Sequence, residues 1–555
     1  MSERCLLVSD FTVAGLAALL EDDETPPAVA AGVAPAGPVA RTLLDLAAEN
    51  QRFDALVVWT RPEAVVPAFG DVLAFRPVAP DKLMGQVDEF AGVVKEAARH
   101  VGCVLIPSWV VSPAHRGLGL LDLRPGQGVA DALRRMNLRL CDALADAPSV
   151  FVLDASRWLA AAGPSAVNPR LWFMGKVPFA APVFAEAARD VKAALAALRG
   201  QARRLVVLDL DGTLWGGTVG ESGWPGLRLG GHDPLGEAFV AFQSALQALT
   251  RRGVLLAIAS KNDEAVALEA IDRHPEMRLR RDDFAGWRIG WGDKAEAVAA
   301  LAEELRLGLS SVVFVDDSPL ERGRVRETLP EVLVPEWPAV PLLYTDALRG
   351  LRCFDVPALT AEDADRARMY AEERQRREER GAGEMDLESW LATLGVEVES
   401  EELGERNLPR SVQLLNKTNQ FNLATRRLSA EELVAWAREG NRVWAFRVRD
   451  RFGDSGLSGL ASLALQGSRA VIVDFLLSCR VMGRRVEESM LWWLVRCARS
   501  AGAREVAATY RPTTRNRPCL EFWQRSGFAR EGGDCFTWDP RAEYPMPGTV
   551  RFVAP

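Results

Sequence analysis

The stretch Val207-Leu-Asp-Leu-Asp-Gly-Thr-Leu214 decides the reading of this 555-residue chain. Leu205 to Leu210 reads as a strand that carries the aspartates at its carboxyl end, with a turn after it. In parallel α/β sheets, ligands bind outside the carboxyl ends of the strands. Two carboxylates there, Asp209 and Asp211, suit phosphate chemistry. One can attack phosphorus, and the other can protonate the leaving oxygen and then activate water. An anionic substrate facing acids calls for a hard cation with oxygen ligands, so Mg2+ is the expected cofactor, with Asp209, Asp211, Asp316 and Asp317 as ligands. On its own the motif could equally be an ordinary strand end and turn.

Downstream residues complete a set. Val254-Leu-Leu-Ala-Ile-Ala259 reads as a second buried strand. Ser260, Lys261 and Asn262 come next, placed to hold a phosphate. Lys294, in Gly292-Asp-Lys-Ala-Glu296, starts a helix and can neutralise phosphate and a phosphorylated carboxylate. Ser311-Val-Val-Phe-Val315 is a third strand, ending at Asp316-Asp317. Helices are expected at 237–252, 264–272 and 294–305, which makes residues 201–355 a parallel, doubly wound array.

Residues 1–200 show the same alternation, with strands at 5–9, 55–59, 104–107 and 150–154. Helices are expected at 81–100, 128–147 and 183–198. Residues 360–380 read as a charged connecting helix within a linker spanning 356–384. Residues 385–555 place strands at 442–449, 459–464, 470–477 and 505–509 around a long helix at 486–501, an α+β pattern. The expected fold class is therefore multidomain α/β with an α+β third part.

Composition excludes several classes. There are 67 basic and 75 acidic residues, a net charge of −8, so nucleic acid is not the expected partner. No apolar run approaches the roughly 18 residues that span a bilayer. The amino terminus lacks a signal-like pattern, and a cytoplasmic protein is expected. Eight scattered cysteines without Cys-x-x-Cys, and only four histidines, disfavour structural zinc and disulfides.

The long motifs resemble a named family. Val207 through Glu221, Ser260-Lys-Asn-Asp263 and Val313-Phe-Val-Asp-Asp-Ser-Pro319 are similar to FkbH-like proteins of the haloacid dehalogenase (HAD) superfamily. Asn416-Lys-Thr-Asn-Gln-Phe-Asn422, Arg449-Asp-Arg-Phe-Gly-Asp454 and Phe475-Leu-Leu-Ser-Cys-Arg-Val481 continue the resemblance, which covers about 201–540. Residues 1–200 more weakly resemble the SGNH-like domain of longer members. The resemblance implies conversion of 1,3-bisphosphoglycerate into a glyceryl thioester on an acyl carrier protein, for polyketide or other secondary-metabolite synthesis. One departure is Gly212, where many members have Asn.

The third part resembles GNAT acyltransferases. Arg480-Val-Met-Gly-Arg-Arg485 is similar to their pyrophosphate loop, and the stretch from Asn516 to Phe528 to their closing segment. Arg480, Gly483, Arg484, Arg485 and Asn516 are thus candidate pantetheine contacts, with Arg484 or Arg485 meeting the arm's phosphate. Asn416, Asn419 and Gln420 are candidates for the glycerate hydroxyls or the pantetheine amides, or form a loop that caps itself. Cys479 is the candidate acyl-carrying thiol, because hydrolysis of the acyl phosphate at Asp209 would waste the activation. Its alternative is a small buried cysteine, and Cys519 is the weaker thiol candidate.

In the first part Ser9-Asp10 lacks a preceding Gly, and no Asp-x-x-His occurs near residue 168, so it reads as non-catalytic. Alternatives remain open: a phosphatase acting on a sugar or cyclitol phosphate, an N-acyltransferase with an accessory HAD domain, or a carrier-binding scaffold without turnover.

Overall fold

The computed structural model describes residues 2–35, 37–49, 53–359, 369–370, 372, 387–513 and 516–554. The chain forms two compact units, Met1–Arg199 and Gly200–Pro555. The connecting helix expected at 360–380 lies outside the described residues, apart from Met369, Tyr370 and Glu372.

The first unit is built on five parallel strands: β1 Glu3–Ser9, β2 Val29–Val33, β3 Ala55–Trp59, β4 Val104–Pro107 and β5 Val150–Leu153. Their order is β2-β1-β3-β4-β5. Alternate residues of each strand feed two cores, one per face. Leu7, Val57 and Leu105 pack against helix Ala181–Leu198, while Leu6, Leu56 and Ile106 pack beneath helix Pro80–Ala98. β2 was not foreseen, since Val-Ala-Ala-Gly-Val is weak in β-formers and edges the sheet. At the carboxyl ends, Arg61 holds Asp10 through Nε at 2.8 Å and Glu63 through a terminal nitrogen at 3.0 Å. Ser9 Oγ accepts the Phe11 N–H, and His115 Nδ1 the Gly117 N–H.

The second unit holds two sheets. Four parallel strands, β6 Leu205–Leu208, β7 Leu255–Ser260, β8 Phe284–Ile289 and β9 Val312–Val315, lie in the order β8-β7-β6-β9. The central strand β6 is wholly buried, consistent with its unbroken apolar run. Eight further strands complete the unit: β10 Val396–Glu402, β11 Arg442–Asp450, β12 Gly453–Gln466, β13 Arg469–Leu477, β14 Glu505–Thr509, β15 Ala529–Arg530, β16 Cys535–Trp538 and β17 Val550–Val553. Their order is β15-β16-β14-β13-β12-β11-β10-β17. β13 and β14 run parallel, joined by helix Val486–Ser500. Met490, Leu491 and Leu494 of that helix enter the core with Phe475, Phe522 and Trp523. The fold class is the multidomain α/β arrangement expected. Among the described residues no helix is long and apolar enough to cross a membrane.

Candidate functional site

Three strand ends converge. β6 delivers Asp209, β7 ends on Ser260, and β9 delivers Asp316 and Asp317. Capped helices anchor the neighbouring segments. Asp293 accepts the Ala295 and Glu296 N–H groups, so Lys294 stands at the first position of helix Lys294–Glu304. Ser318 caps Pro319–Thr328, and Asp263 caps Glu264–Arg273.

Lys294 is 5% exposed, and its Nζ lies 3.0 Å from Asp209 Oδ2 and 2.6 Å from Asp316 Oδ2. A buried ammonium persists because two carboxylates compensate it. Burial works against its charge, but Asp209 and Asp316 outweigh burial and hold its pKa above the usual value. Burial pushes the Asp209 carboxyl up to about 6, opposed by Lys294 and by a hydrogen bond from Ser260. Asp316 is raised for the same reason, and Asp317 by burial together with Asp209.

Carboxylate oxygens of Asp209, Asp316 and Asp317 all lie within 4.8 Å of one another. Three hard oxygen donors at this spacing fit a magnesium ion, which binds few protein carboxylates and keeps several waters. Asp211, expected among the ligands, directs its carboxylate elsewhere. Its Oδ1 accepts from Trp215 Nε1 at 2.7 Å and from the Val219 N–H at 3.1 Å, and its Oδ2 from Asn262 Nδ2 at 3.1 Å. Asn262 also reaches Ser260 Oγ at 3.1 Å, linking the second strand end to Asp211. Lys261 departs from its expected phosphate role, since its Nζ is 2.7 Å from Glu321 on the surface.

Several residues around this centre escaped the sequence reading. Thr213 Oγ1 accepts the Asp317 N–H at 3.1 Å. Arg322, buried, donates to the carbonyls of Asp316 and Asp317 at 2.7 and 2.8 Å, fixing that turn. The Tyr344 hydroxyl donates to the Gly212 carbonyl at 3.3 Å. Only Thr213 had a sequence signal, as part of the motif. A 330 Å³ cavity lined by Gly212, Arg228, Phe239, Asp317 and Tyr344 gives a substrate room beside the carboxylates.

The residues assigned to acyl transfer divide. Asn419, Gln420 and Arg480 line a second cavity of 560 Å³, with Arg204, Arg306, Arg410 and Lys417. Ser478 lines it too, so both neighbours of Cys479 face this space. Cys479 lies in a tight turn, Cys479–Val481, and its side chain is outside the described residues. Asn416 is taken by the Leu428 backbone, donating to its carbonyl at 2.8 Å and accepting its N–H at 3.1 Å. Asn516 is wholly buried and satisfied. It donates to the Asn422 and Arg511 carbonyls at 3.0 and 2.8 Å, and accepts from the Tyr510 hydroxyl and the Thr513 N–H. Arg484 is buried against Asp450 at 2.8 Å, and Arg485 pairs with Glu488 and Glu388. These arginines were expected to meet a ligand phosphate, but this conformation commits them to acids of the chain. The Gly483 N–H, expected to hold a phosphate, instead donates to Glu487 Oε1 at 3.0 Å. Burial pushes the Cys519 thiol up to about 12, which suits an inert core cysteine.

The fold has a counterpart. The N-terminal part of BF1531 from Bacteroides fragilis, described as containing a phosphatase domain complexed with Mg, is 24% identical with a TM-score of 0.58. The match covers 64% of this chain and 95% of that one. An acetyltransferase of the GNAT family from Staphylococcus aureus Mu50 matches 26% of this chain and 99% of its own at 8% identity, TM-score 0.21. Rv2747 from Mycobacterium tuberculosis, solved with CoA and NLQ, matches 24% of this chain and 73% of its own at 17% identity, TM-score 0.20. No family model matches the chain, and no curated protein does. The BF1531 likeness shows a shared fold across most of that structure.

Proposed function

We propose that the chain is a magnesium-dependent phosphatase of HAD type whose third part transfers a glyceryl group to an acyl carrier protein, as FkbH-like proteins do. The observation that carries the phosphatase half is the buried Lys294 bridging Asp209 and Asp316, with Asp317 alongside. Asp209 and Asp316 need that ammonium to stay ionised, and an ionised Asp209 is the nucleophile of this reading. Magnesium, held by Asp209, Asp316 and Asp317, would offset the charge of a phosphate ester. The Mg in the BF1531 structure supports this choice of cation.

In this reading an Asp209 oxygen bonds to phosphorus while the ester P–O bond breaks. Asp211 supplies the proton to the departing oxygen. Asp211 then takes a proton from water, whose oxygen attacks phosphorus and releases phosphate and the Asp209 carboxylate. Trp215, Val219 and Asn262 hold Asp211 in place for this exchange.

For acyl transfer, the Cys479 thiolate attacks C1 of 1,3-bisphosphoglycerate, and inorganic phosphate departs with the electrons of the broken C–O bond. The carrier's pantetheine thiolate then displaces Cys479. The cavity bounded by Ser478 and Arg480 supports a bound substrate at that turn. Incubation with 1,3-bisphosphoglycerate, Mg2+ and phosphopantetheinylated carrier tests the whole reading. A glyceryl mass shift on the carrier, absent in Cys479→Ser, is expected. Phosphate release without a shift would sink the transferase half.

A second reading is favoured by the closed state of the GNAT-like loop. With Arg484, Arg485 and Gly483 all engaged internally, the third part is in this reading a structural remnant. The chain would then be a phosphatase for a sugar or cyclitol phosphate. The same engagement argues against an N-acyltransferase that uses free coenzyme A.

A further inference from the structure

We propose that the loop following β4 in the first unit is a docking site for the acyl carrier protein, with leucines to enter an apolar pocket and arginines to meet an acidic face. The carrier as occupant rests on the acyl-transfer reading, which gives this unit no role of its own. The loop reads Arg116-Gly-Leu-Gly-Leu-Leu-Asp-Leu-Arg124 and leads into helix Val129–Leu144. Leu118, Leu121 and Leu123 are exposed, and Leu120 stands wholly in solvent. Phe75, also exposed, brings its ring to 6.1 Å from that of His115 at the start of the loop. Single exposed leucines are ordinary, but a group of them marks a contact surface.

These leucines are held outward by a built frame. The Asp122 carboxylate accepts the N–H groups of Leu118, Val129 and Ala130 at 3.0, 2.8 and 3.2 Å, which ties the loop to the start of the helix. Asn137, one face further along, accepts the Trp109 N–H at 2.8 Å and donates to the Trp109 carbonyl at 2.9 Å. Gly117 and Gly128 pack against Asp122 without room for a side chain. A Cβ at Gly117 would lie 2.0 Å from Asp122 Oδ1, and one at Gly128 2.1 Å from the Asp122 carbonyl oxygen. A loop fixed before binding loses little freedom when a partner seats on it.

Charge selects the partner. Arg116 and Arg124 bracket the leucines, are exposed, and form no ion pair among the described residues. Residues 108–140 carry five arginines against two aspartates, in a chain whose net charge is −8. Neither aspartate offsets the bracketing pair, since Asp122 is occupied by N–H groups and Asp131 by Arg135 at 2.9 Å. An apolar centre with a cationic rim complements a protein with acids around an apolar pocket, and Leu120 is the side chain placed to enter that pocket. A lipid surface fits less well. The tip is one leucine, far smaller than a fatty acyl chain, and a single acyl chain binds a bilayer only marginally. A second copy of this chain fits less well too, because a two-fold contact would set the arginines against their own kind.

The test is calorimetric titration of the full-length protein with carrier protein lacking its phosphopantetheine arm, so that only the protein surfaces meet. Saturable binding is expected, weakened at least about tenfold by Leu120→Asp, while p-nitrophenyl phosphate hydrolysis and the unfolding temperature are held. If Leu120→Asp lowers the unfolding temperature, Leu120→Ser takes its place. Leu44→Asp, at an exposed leucine of helix Val39–Glu49, should leave binding unchanged. Binding should weaken as salt rises, and Arg116→Glu with Arg124→Glu should both weaken it and flatten that dependence. The inference fails if only carrier bearing the arm binds, if the Leu120 and arginine variants bind as tightly as the parent, or if Leu120 governs sedimentation with phosphatidylglycerol vesicles or dimerisation of the protein alone in place of carrier binding. Carrier binding that depends on Leu120, without glyceryl capture by the unsubstituted protein, would overturn the acyl-transfer reading and leave the docking site standing.

Discussion

Gly212 is where a single methyl group should separate stability from metal binding. Its φ is +74°, and a Cβ built there would stand 2.5 Å from Asp317 Oδ2, 2.8 Å from its Cγ and 3.1 Å from its Oδ1. Gly212→Ala therefore meets two costs. The left-handed backbone costs an alanine about 1–2 kcal/mol. The clash requires the Asp317 carboxylate to move by roughly 1 Å to regain van der Waals separation. Asp317 is partly desolvated by the cluster but is its solvent-facing member, so it can swing outward without disturbing the core. The fold should therefore lose little beyond the backbone term. The carboxylate cluster loses more, because Asp317 leaves its place beside Asp209 and Asp316. Misplacing groups around a metal site typically costs 10–100-fold in affinity or activity. The assay is p-nitrophenyl phosphate hydrolysis titrated with Mg2+, alongside urea unfolding in EDTA. Half-saturation should rise at least about tenfold while stability falls by only about 1–2 kcal/mol. An unchanged half-saturation at the same stability loss would refute the role given to Asp317. Gly212→Asn should cost less in the fold, because Asn tolerates left-handed backbone better.

Four other substitutions and conditions probe the same structure. Asp209→Asn should abolish phosphate-ester hydrolysis, with circular dichroism unchanged. Lys294→Met leaves two buried carboxylates without their counter-charge and should destabilise metal-free protein by about 3–5 kcal/mol, measured by urea unfolding. Glu487 is buried, and burial with Glu488 beside it lifts its carboxyl to about 7, above the ordinary 4.5. A raised folded-state pKa gives stability that is complete below the ordinary value and lost as pH climbs through 7. Glu487→Gln should therefore raise the unfolding temperature at pH 8 more than at pH 5, and an equal shift at both would count against it. Trp215→Phe removes one donor to Asp211 and should lower kcat with little change in KM, read from steady-state kinetics.

The aspartate centre was legible because its residues sit at the ends of short, wholly apolar strands, where one sequence position is one place in space. The runs read as ending at Leu210, Ala259 and Val315 emerge as strands ending at Leu208, Ser260 and Val315. Edge and polar strands were harder to read. β8 opens on Phe-Ala-Gly, and β10 is Val-Glu-Val-Glu-Ser-Glu-Glu, whose acids disguise a strand with one buried face. Lys294 could be read as a phosphate ligand, but its double pairing with Asp209 and Asp316 could not. Nothing local distinguishes a buried lysine from a surface one. Arg484, Arg485 and Asn516 carried a motif's shape without its availability. Their partners Asp450, Glu388 and Asn422 lie 34, 97 and 94 residues away in sequence, and only folding brings them together.

Strand β6 runs from Arg204, on the wall of the 560 Å³ cavity, to Asp209, and its four residues of extended chain span about 13 Å. The four-stranded sheet acts as a bulkhead between two chambers, with no strand end shared. In the proposed reaction a phosphoryl group can be shed only after its bearer has left one chamber and reached the other. A long flexible arm can make that crossing while still attached, and a loose molecule must escape into bulk water first. Unlabelled competitor in solution should then dilute the product formed from free intermediates and spare that formed on the arm.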